Sequence, residues 1–336
     1  MSLFGKLREA QRGLGRALET VARVLETPST TAPPGRAARP SGGFTPGVVE
    51  IRDFGSNPGR LRMLVYSPPN VRSGHSLAVI LHGCAQDAVR FAADSGWMAL
   101  ADRCGIPLVL PEQVPGNNRG RCFNWFRETE RSRGDGEASS IREMISFAAQ
   151  RFATDPGGIF IVGLSAGGAM AASLMAAYPE VFSGGAIVAG LPVGCASTMR
   201  EALERMARAG PREPEEWWAE KIRHAAPRNY RGAWPRVSIW HGEADPVVDP
   251  ANAQLLATQW RSVHGLSEKA GIEGKSVPGV SHRWWGPPER PAVELWMFDR
   301  VGHAYPIRET GRPSEWVAQA AVSATEHLAR AWRLCG

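Results

Sequence analysis

The chain has 336 residues, which is enough for one large domain or two small ones. Hydrophobic residues make up 43% and charged residues 21%, so the composition excludes a fully disordered chain and a fibrous protein. Most of the net charge of +6 comes from residues 1–40, where seven Lys and Arg stand against three Glu. The remainder of the chain therefore lacks the basic surface that nucleic-acid binding requires, and we expect no nucleic-acid partner.

The first 47 residues divide into two segments. Apolar residues recur at alternating spacings of four and three from Leu3 to Val24, which predicts an amphipathic helix over residues 1–26. This helix could pack on its own domain, form a dimer seam or attach to an apolar surface. Charges recur through residues 6–26, so no secretory signal is recognisable and we expect a cytoplasmic location. Residues 27–47 are rich in Pro, Gly, Ser and Thr and predict a flexible linker, so the folded domain should span residues 48–336.

The pattern after residue 47 is an alternation of buried strands and helices. Strands are predicted at 48–54, 60–68, 77–81, 106–110, 158–162, 185–188, 237–240 and 293–298, and Pro111 is expected to end the strand before it. The uncharged stretch from Ile159 to Tyr178 contains three glycines and fits a buried strand that runs into a buried helix, so we expect no transmembrane segment. The alternation predicts an α/β fold with a mostly parallel sheet covered by helices on both faces. Ligands of such sheets bind at the carboxyl ends of the strands.

A candidate nucleophile lies at the end of one predicted strand. Residues 163–167 read Gly-Leu-Ser-Ala-Gly and match G-x-S-x-G between an apolar strand and a helix of small residues. This context predicts a tight turn that exposes the hydroxyl of Ser165 above the sheet. Serine is a weak nucleophile at neutral pH, so a base must accept its proton and an acid must orient that base.

The acid and the base should follow Ser165 in that order along the chain. Asp245 lies just after the strand at 237–240 and is the favoured acid, with Glu243 and Asp249 as competitors. His303 follows the strand at 293–298 and is the favoured base. His282, placed in a loop before Arg283, is its rival, whereas His264 and His327 fit solvated faces.

The oxyanion of an acyl-transfer intermediate requires two backbone N–H donors. Ala166, directly after the nucleophile, should supply one donor. Cys84, in the loop after the strand at 77–81, should supply the other. The five cysteines form no CxxC pair, which excludes a zinc ribbon and disfavours a dense disulfide scaffold. No metal-ligand motif and no phosphate-binding loop is present, so we expect no metal and no cofactor.

Several short motifs together resemble those of one family. In chain order they are Leu81-His82-Gly83-Cys84-Ala85-Gln86, Pro111-Glu112-Gln113, Arg121-Cys122-Phe123-Asn124-Trp125-Phe126, Gly163–Gly168, Gly190-Leu191-Pro192, His241-Gly242 with Asp245, and Gly302-His303. This set resembles the poly(3-hydroxybutyrate) depolymerase family of α/β-hydrolase esterases, which includes feruloyl and acetylxylan esterases. The resemblance covers residues 60–305 approximately.

The resemblance implies Ser165, Asp245 and His303 as a catalytic triad and Cys84 and Ala166 as the oxyanion hole, in agreement with the reading of the residues. It also implies substrate contacts at His82, Trp125 and Tyr305.

Two residues depart from the family pattern near the expected cleft, because Phe123 and Tyr305 stand where the family commonly has Trp. These departures concern the choice of substrate. Cys84 and Cys122 both occupy family motif positions, so a disulfide between them is one possibility, which a reducing compartment opposes.

The sequence thus predicts a serine esterase that hydrolyses polyhydroxyalkanoate polymer or oligomer esters, with water as the second substrate. An intracellular polymer granule could bind the N-terminal helix. One alternative is a feruloyl or acetylxylan carbohydrate esterase, and another is a non-catalytic protein that binds the granule surface.

Overall fold

The computed structural model describes residues 47–71, 74–211, 213–274, 277–308 and 311–335. The predicted helix at 1–26 and almost all of the predicted linker at 27–47 lie outside these residues. The strands are β1 (Gly47–Ile51), β2 (Arg62–Ser67), β3 (Leu77–Leu81), β4 (Leu108–Glu112), β5 (Ile159–Leu164), β6 (Gly184–Val188), β7 (Arg236–Gly242), β8 (Ile272–Glu273), β9 (Val280–Trp285), β10 (Val293–Phe298), β11 (Tyr305–Ile307) and β12 (Val317–Gln319). The helices are α1 (Ala88–Asp94), α2 (Trp97–Cys104), α3 (Glu128–Arg131), α4 (Gly136–Arg151), α5 (Ala166–Ala177), α6 (Met199–Ala207), α7 (Glu215–Ala225), α8 (Ala251–Val263) and α9 (Ala324–Ala331).

Ten strands form one sheet in the order β1-β2-β4-β3-β5-β6-β7-β10-β9-β8. The six central strands from β4 to β10 are parallel, and the strands at both edges pair antiparallel. A second, two-stranded sheet pairs β11 with β12. The parallel centre confirms the predicted α/β architecture. It also brings the carboxyl ends of β3, β5, β6, β7 and β10 to one edge of the sheet.

The central strands are buried on both faces, as continuous apolar runs require. Leu77, Val79 and Leu81 of β3 pack in one apolar cluster with α4, α5 and α8. The alternate residues Ala78 and Ile80 pack in a second cluster with α1, α2 and α9. Because successive side chains of a strand point to opposite faces, each face of the sheet carries its own helix layer. In the part of the chain that the structure describes, no helix is long and apolar enough to cross a membrane.

One predicted boundary differs from the structure. Pro111 was expected to end a strand, but β4 continues through it to Glu112, with Pro111 opposite Met63 of β2. Between β3 and β4 the chain forms two helices, α1 and α2, which are divided at Gly96, whose φ of 83° lies in the left-handed region. Glycine adopts that conformation without the steric cost that a Cβ imposes.

Candidate active site

Ser165 occupies the sharp turn that joins β5 to α5. Its backbone has φ 57° and ψ −120°, which is a strained conformation for a residue with a Cβ. Its amide donates to the Val188 carbonyl at 2.8 Å, so β6 holds the turn in place. A Cβ on Gly163 would collide with the Gly167 carbonyl, and a Cβ on Gly167 would collide with the carbonyls at the end of β3 and just after it, those of Leu81 and His82. The two glycines are therefore required for strand and helix to approach this closely, as G-x-S-x-G predicts.

Asp245 and His303 form a hydrogen-bonded pair at the same edge of the sheet. Asp245 follows β7 and His303 follows β10, and Asp245 Oδ2 lies 2.8 Å from His303 Nδ1. Asp245 Oδ1 accepts hydrogen bonds from the amides of Val247 and Val248 at 2.8 and 2.9 Å. Burial opposes the charge, but hydrogen bonds from two histidines hold the pKa of Asp245 well below its usual range. Asp245 is thus a carboxylate that can orient His303.

Ser165, Asp245 and His303 all lie at the carboxyl edge of the parallel strands, and each is less than 10% exposed. Among the described residues, no hydrogen bond joins Ser165 Oγ to His303. Catalytic hydrogen bonds of this kind often tighten only when substrate is bound.

The rival acids have other positions. Glu243 is exposed on the surface. Asp249 Oδ1 accepts from the Ala251 amide at the start of α8, and its Oδ2 accepts from the Ala209 amide. Neither carboxylate is paired with His303.

The rival histidines are also engaged elsewhere. His282 lies within β9 rather than in a loop, where it stacks on Trp296 at 3.6 Å between ring centroids and lies 3.6 Å from a carboxylate oxygen of Glu294. His327 contacts the same carboxylate at 3.1 Å. His264 is partly buried, and its Nε2 lies 3.0 Å from the Pro235 carbonyl, so it does not lie on a fully solvated face.

The loop after β3 borders the serine. A Cβ built on Gly83 would lie 3.5 Å from Ser165 Cβ. The next amide in this loop belongs to Cys84, and neither it nor the amide of Ala166 donates to an acceptor among the described residues. The assignment of these two amides to an oxyanion hole stays a prediction.

One disulfide and one backbone hydrogen bond hold this loop. Cys84 and Cys122 form a disulfide, so the bridge considered from the sequence is present. The Ala85 amide donates to the Gly120 carbonyl at 2.7 Å. The loop after β3 is thereby joined to the segment around residue 120.

The family model described as Esterase PHB depolymerase matches residues 61–276. This chain belongs to the esterase PHB depolymerase family. The resemblance inferred from the motifs is confirmed, and so, for the family, is the prediction of a carboxylic ester hydrolase.

Relatives within this family include both expected types. Poly(3-hydroxyalkanoate) depolymerase C of Paucimonas lemoignei is 35% identical over 261 residues, which are 77% of this chain and 62% of that protein. Acetylxylan esterase of Coprinopsis cinerea is 32% identical over 77% of this chain and 69% of that protein. Feruloyl esterase B of Talaromyces stipitatus is 28% identical over 78% and 74%. The solved acetyl xylan esterase of Aspergillus awamori has a TM-score of 0.74 at 22% identity, covers 86% of this chain and all of that one, and confirms the α/β-hydrolase fold.

The predicted cytoplasmic location is wrong. The depolymerase and the acetylxylan and feruloyl esterases of the family are secreted extracellular enzymes. A second disulfide, between Cys104 and Cys335, accompanies the bridge at Cys84 and Cys122. Structural disulfides are typical of oxidising compartments, in agreement with the location of the relatives.

The family resemblance implied three substrate contacts, and two of them, at His82 and Tyr305, are also wrong. His82 has no exposed surface: its Nδ1 bonds the Gly83 carbonyl at 2.7 Å, and its Nε2 accepts from the Gln113 amide at 3.1 Å. Burial lowers the pKa of His82 to about 4, which keeps the ring neutral. Tyr305 is equally buried, and its hydroxyl bonds Trp97 and Thr325 at 3.0 Å. These two side chains support the fold behind the site, whereas a contact at the 5% exposed Trp125 stays a prediction.

The sequence did not point to the buried carboxylate of Glu137. Glu137 Oε2 accepts from the Asn124 amide at 2.8 Å, and its Oε1 accepts from the side chains of Asn124 and Gln113 at 2.6 Å. Burial raises the pKa of Glu137 to about 7, against these three donors, which favour the charged form. Glu137 lies in the first turn of α4, and only its partners belong to recognisable motifs.

A cavity of about 220 Å³ adjoins the site between α1 and the segment that leads into β12. Gln86, Arg121 and Trp316 are among its lining residues. The edge of Trp316 packs against His303, with ring centroids 5.9 Å apart. Through Trp316 and Gln86 the cavity lies next to the candidate base and to the loop after β3.

Proposed function

We propose that the chain is a serine esterase that acts on 3-hydroxyalkanoate esters, either polymer or oligomer. The observation that carries the proposal is the Asp245–His303 hydrogen bond at the sheet edge where the strained turn presents Ser165. The similarity to a poly(3-hydroxyalkanoate) depolymerase supports the substrate class. The chain spans 62% of that relative, so the activity and the substrate are proposals for this chain.

In the proposed reaction, Ser165 Oγ attacks the acyl carbon and His303 Nε2 accepts its proton. The carbonyl electron pair becomes an oxyanion, which the amides of Cys84 and Ala166 bind. The intermediate collapses when the C–O bond to the alcohol breaks, and His303 returns the proton to the alcohol. Water then attacks the acyl-enzyme with His303 again as base, which releases the acid and restores Ser165. Asp245 stabilises the transient imidazolium throughout.

A second candidate function is the hydrolysis of carbohydrate esters. It is favoured by the acetylxylan and feruloyl esterases among the relatives. The two candidates share the chemistry and differ in the alcohol or acyl group that the cleft accepts.

One panel of substrates tests both candidates. It contains 3-hydroxybutyrate oligomers, the polymer, acetylated xylan, methyl ferulate and a p-nitrophenyl ester, assayed with wild type, Ser165→Ala and Ser173→Ala. Ser173 is the matched control, since it lies buried in the helix that follows Ser165, and its hydroxyl donates to the Ala169 carbonyl. We expect Ser165→Ala to lower kcat/KM about a thousandfold or more and Ser173→Ala to leave it nearly unchanged. Wild-type turnover in Ser165→Ala would refute the proposed nucleophile, and a preference for xylan or ferulate would favour the second function.

The division into a helix at 1–26, a linker at 27–47 and a catalytic domain at 48–336 stays a prediction. We also propose that the predicted N-terminal helix contacts the polymer surface. Its support is the basic, amphipathic pattern of this segment, because most of the net charge belongs to residues 1–40.

A further inference from the structure

A second histidine, His241, faces the carboxylate of the candidate triad. His241 is the penultimate residue of β7 and has 2% of its surface exposed. Its Nε2 lies 3.1 Å from Asp245 Oδ2 and 3.0 Å from the Val248 carbonyl. Asp245 Oδ2 thus contacts two imidazoles, His241 on one side and His303 on the other.

The hydrogen on His241 can be assigned from these neighbours. Both groups that face Nε2 accept hydrogen bonds and cannot donate, so Nε2 must carry the hydrogen and share it between them. The other nitrogen, Nδ1, is buried and has no hydrogen-bond partner among the described residues. A hydrogen at Nδ1 would be left without an acceptor in the interior, which is costly, so the neutral ring with hydrogen on Nε2 fits this position.

His241 thereby closes a small hydrogen-bonded clamp around the acid. The Val248 amide donates to Asp245 Oδ1 while the Val248 carbonyl accepts from His241. The backbone of this loop is also fixed to the neighbouring one, since the Ala244 amide donates to the Val301 carbonyl at 3.2 Å. The position of Asp245 relative to His303 therefore depends on His241 at one end and on these amides at the other.

We propose that His241 is a positioning residue of the esterase, which fixes the orientation of Asp245 through Nε2–H and withdraws negative charge from Oδ2. The proposal rests on the proposed serine-esterase function. The titratable groups that face Asp245 within the described chain are His241 and His303. Without the donor, Oδ2 would carry more charge toward His303 and would favour its protonated form, which is inactive as a base.

Three variants separate positioning from simple packing. His241→Gln places an amide donor near the position of Nε2, His241→Asn has a donor that is too short to reach Asp245, and His241→Leu has none. With the p-nitrophenyl ester we expect His241→Leu and His241→Asn to lower kcat about tenfold with little change in KM. The acid limb of the kcat/KM profile should move up by about half a pH unit or more. His241→Gln should restore most of kcat and the position of the limb.

Equal losses in all three variants with an unmoved acid limb would overturn the proposal, because packing alone would then explain them. Unchanged kcat and an unchanged limb in His241→Leu or His241→Asn would overturn it as well. If His241→Leu fails to fold, the comparison of His241→Asn with His241→Gln decides. Wild type and Ser165→Ala are assayed in parallel, so an inactive wild type or an active Ser165→Ala would identify failure of the proposed function itself.

Discussion

The Cys84–Cys122 disulfide should support both stability and turnover, and Cys84→Ser/Cys122→Ser tests this. The bridge closes a loop with a sequence separation of 38 residues. In the chain-entropy description, such a loop stabilises the folded state by about 4 kcal/mol. The same bridge holds the loop whose Cys84 amide is the proposed oxyanion donor. We therefore expect kcat to fall about tenfold as that amide loses its fixed position.

The Cys104–Cys335 disulfide provides a matched control. It joins the end of α2 to the segment after α9, at a sequence separation of 231 residues. The longer loop predicts a larger stabilisation of about 5.5 kcal/mol. Cys104 packs in the cluster on the α1, α2 and α9 face of the sheet. Cys104→Ser/Cys335→Ser should therefore lose more stability than the first variant and keep its kcat.

Urea unfolding followed by tryptophan fluorescence measures the stability of both variants, and hydrolysis of the p-nitrophenyl ester measures kcat. The expected result is a crossed pattern, in which the more destabilised variant is the more active one. Unchanged kcat in Cys84→Ser/Cys122→Ser would refute the claim that the bridge positions the oxyanion loop. Equal loss of kcat in both variants would show that turnover follows general stability instead.

His303→Ala should lower kcat/KM about as much as Ser165→Ala, whereas His282→Ala removes a ring stacked on Trp296 and should lower Tm with kcat nearly unchanged. Ester kinetics and thermal melts on both variants check this. If His282→Ala lost more kcat/KM than His303→Ala, His303 would be excluded as the base. Burial raises the pKa of Glu137 from 4.5 to about 7, so the folded state retains a proton that the unfolded state loses. Unfolding free energy should therefore fall by about 3 kcal/mol from this group as pH rises through that window. In Glu137→Gln, the unfolding free energy measured by urea titration should lack this fall between pH 5 and pH 8. A fall in the variant as large as in wild type would contradict the reasoning.

The parts of the site that could be predicted depend on local pattern. The turn at Ser165 follows from two glycines between a buried strand and a helix of small residues, and the backbone there is as strained as expected. Asp245 and His303 were predicted to meet because each follows a strand, and parallel strands end at one edge of the sheet. Their 2.8 Å contact joins residues 58 positions apart without any local signal.

The parts that could not be predicted depend on the direction of side chains and on distant partners. His82 and Tyr305 each lie two positions from a candidate oxyanion or triad residue, but both are fully buried. Proximity in sequence to a site residue does not determine the direction in which a side chain points. Glu137 binds groups 13 and 24 positions away, and only the folded loop brings them together.

The Cys104–Cys335 bridge also makes most of the domain a covalent ring. Ser165, Asp245 and His303 all lie inside that ring. A protease in the surroundings that cuts the backbone once, anywhere between the two cysteines, leaves the two fragments joined through sulfur. The groups proposed for catalysis therefore stay on one molecule after a single cut, and a reductant is needed before the fragments can separate.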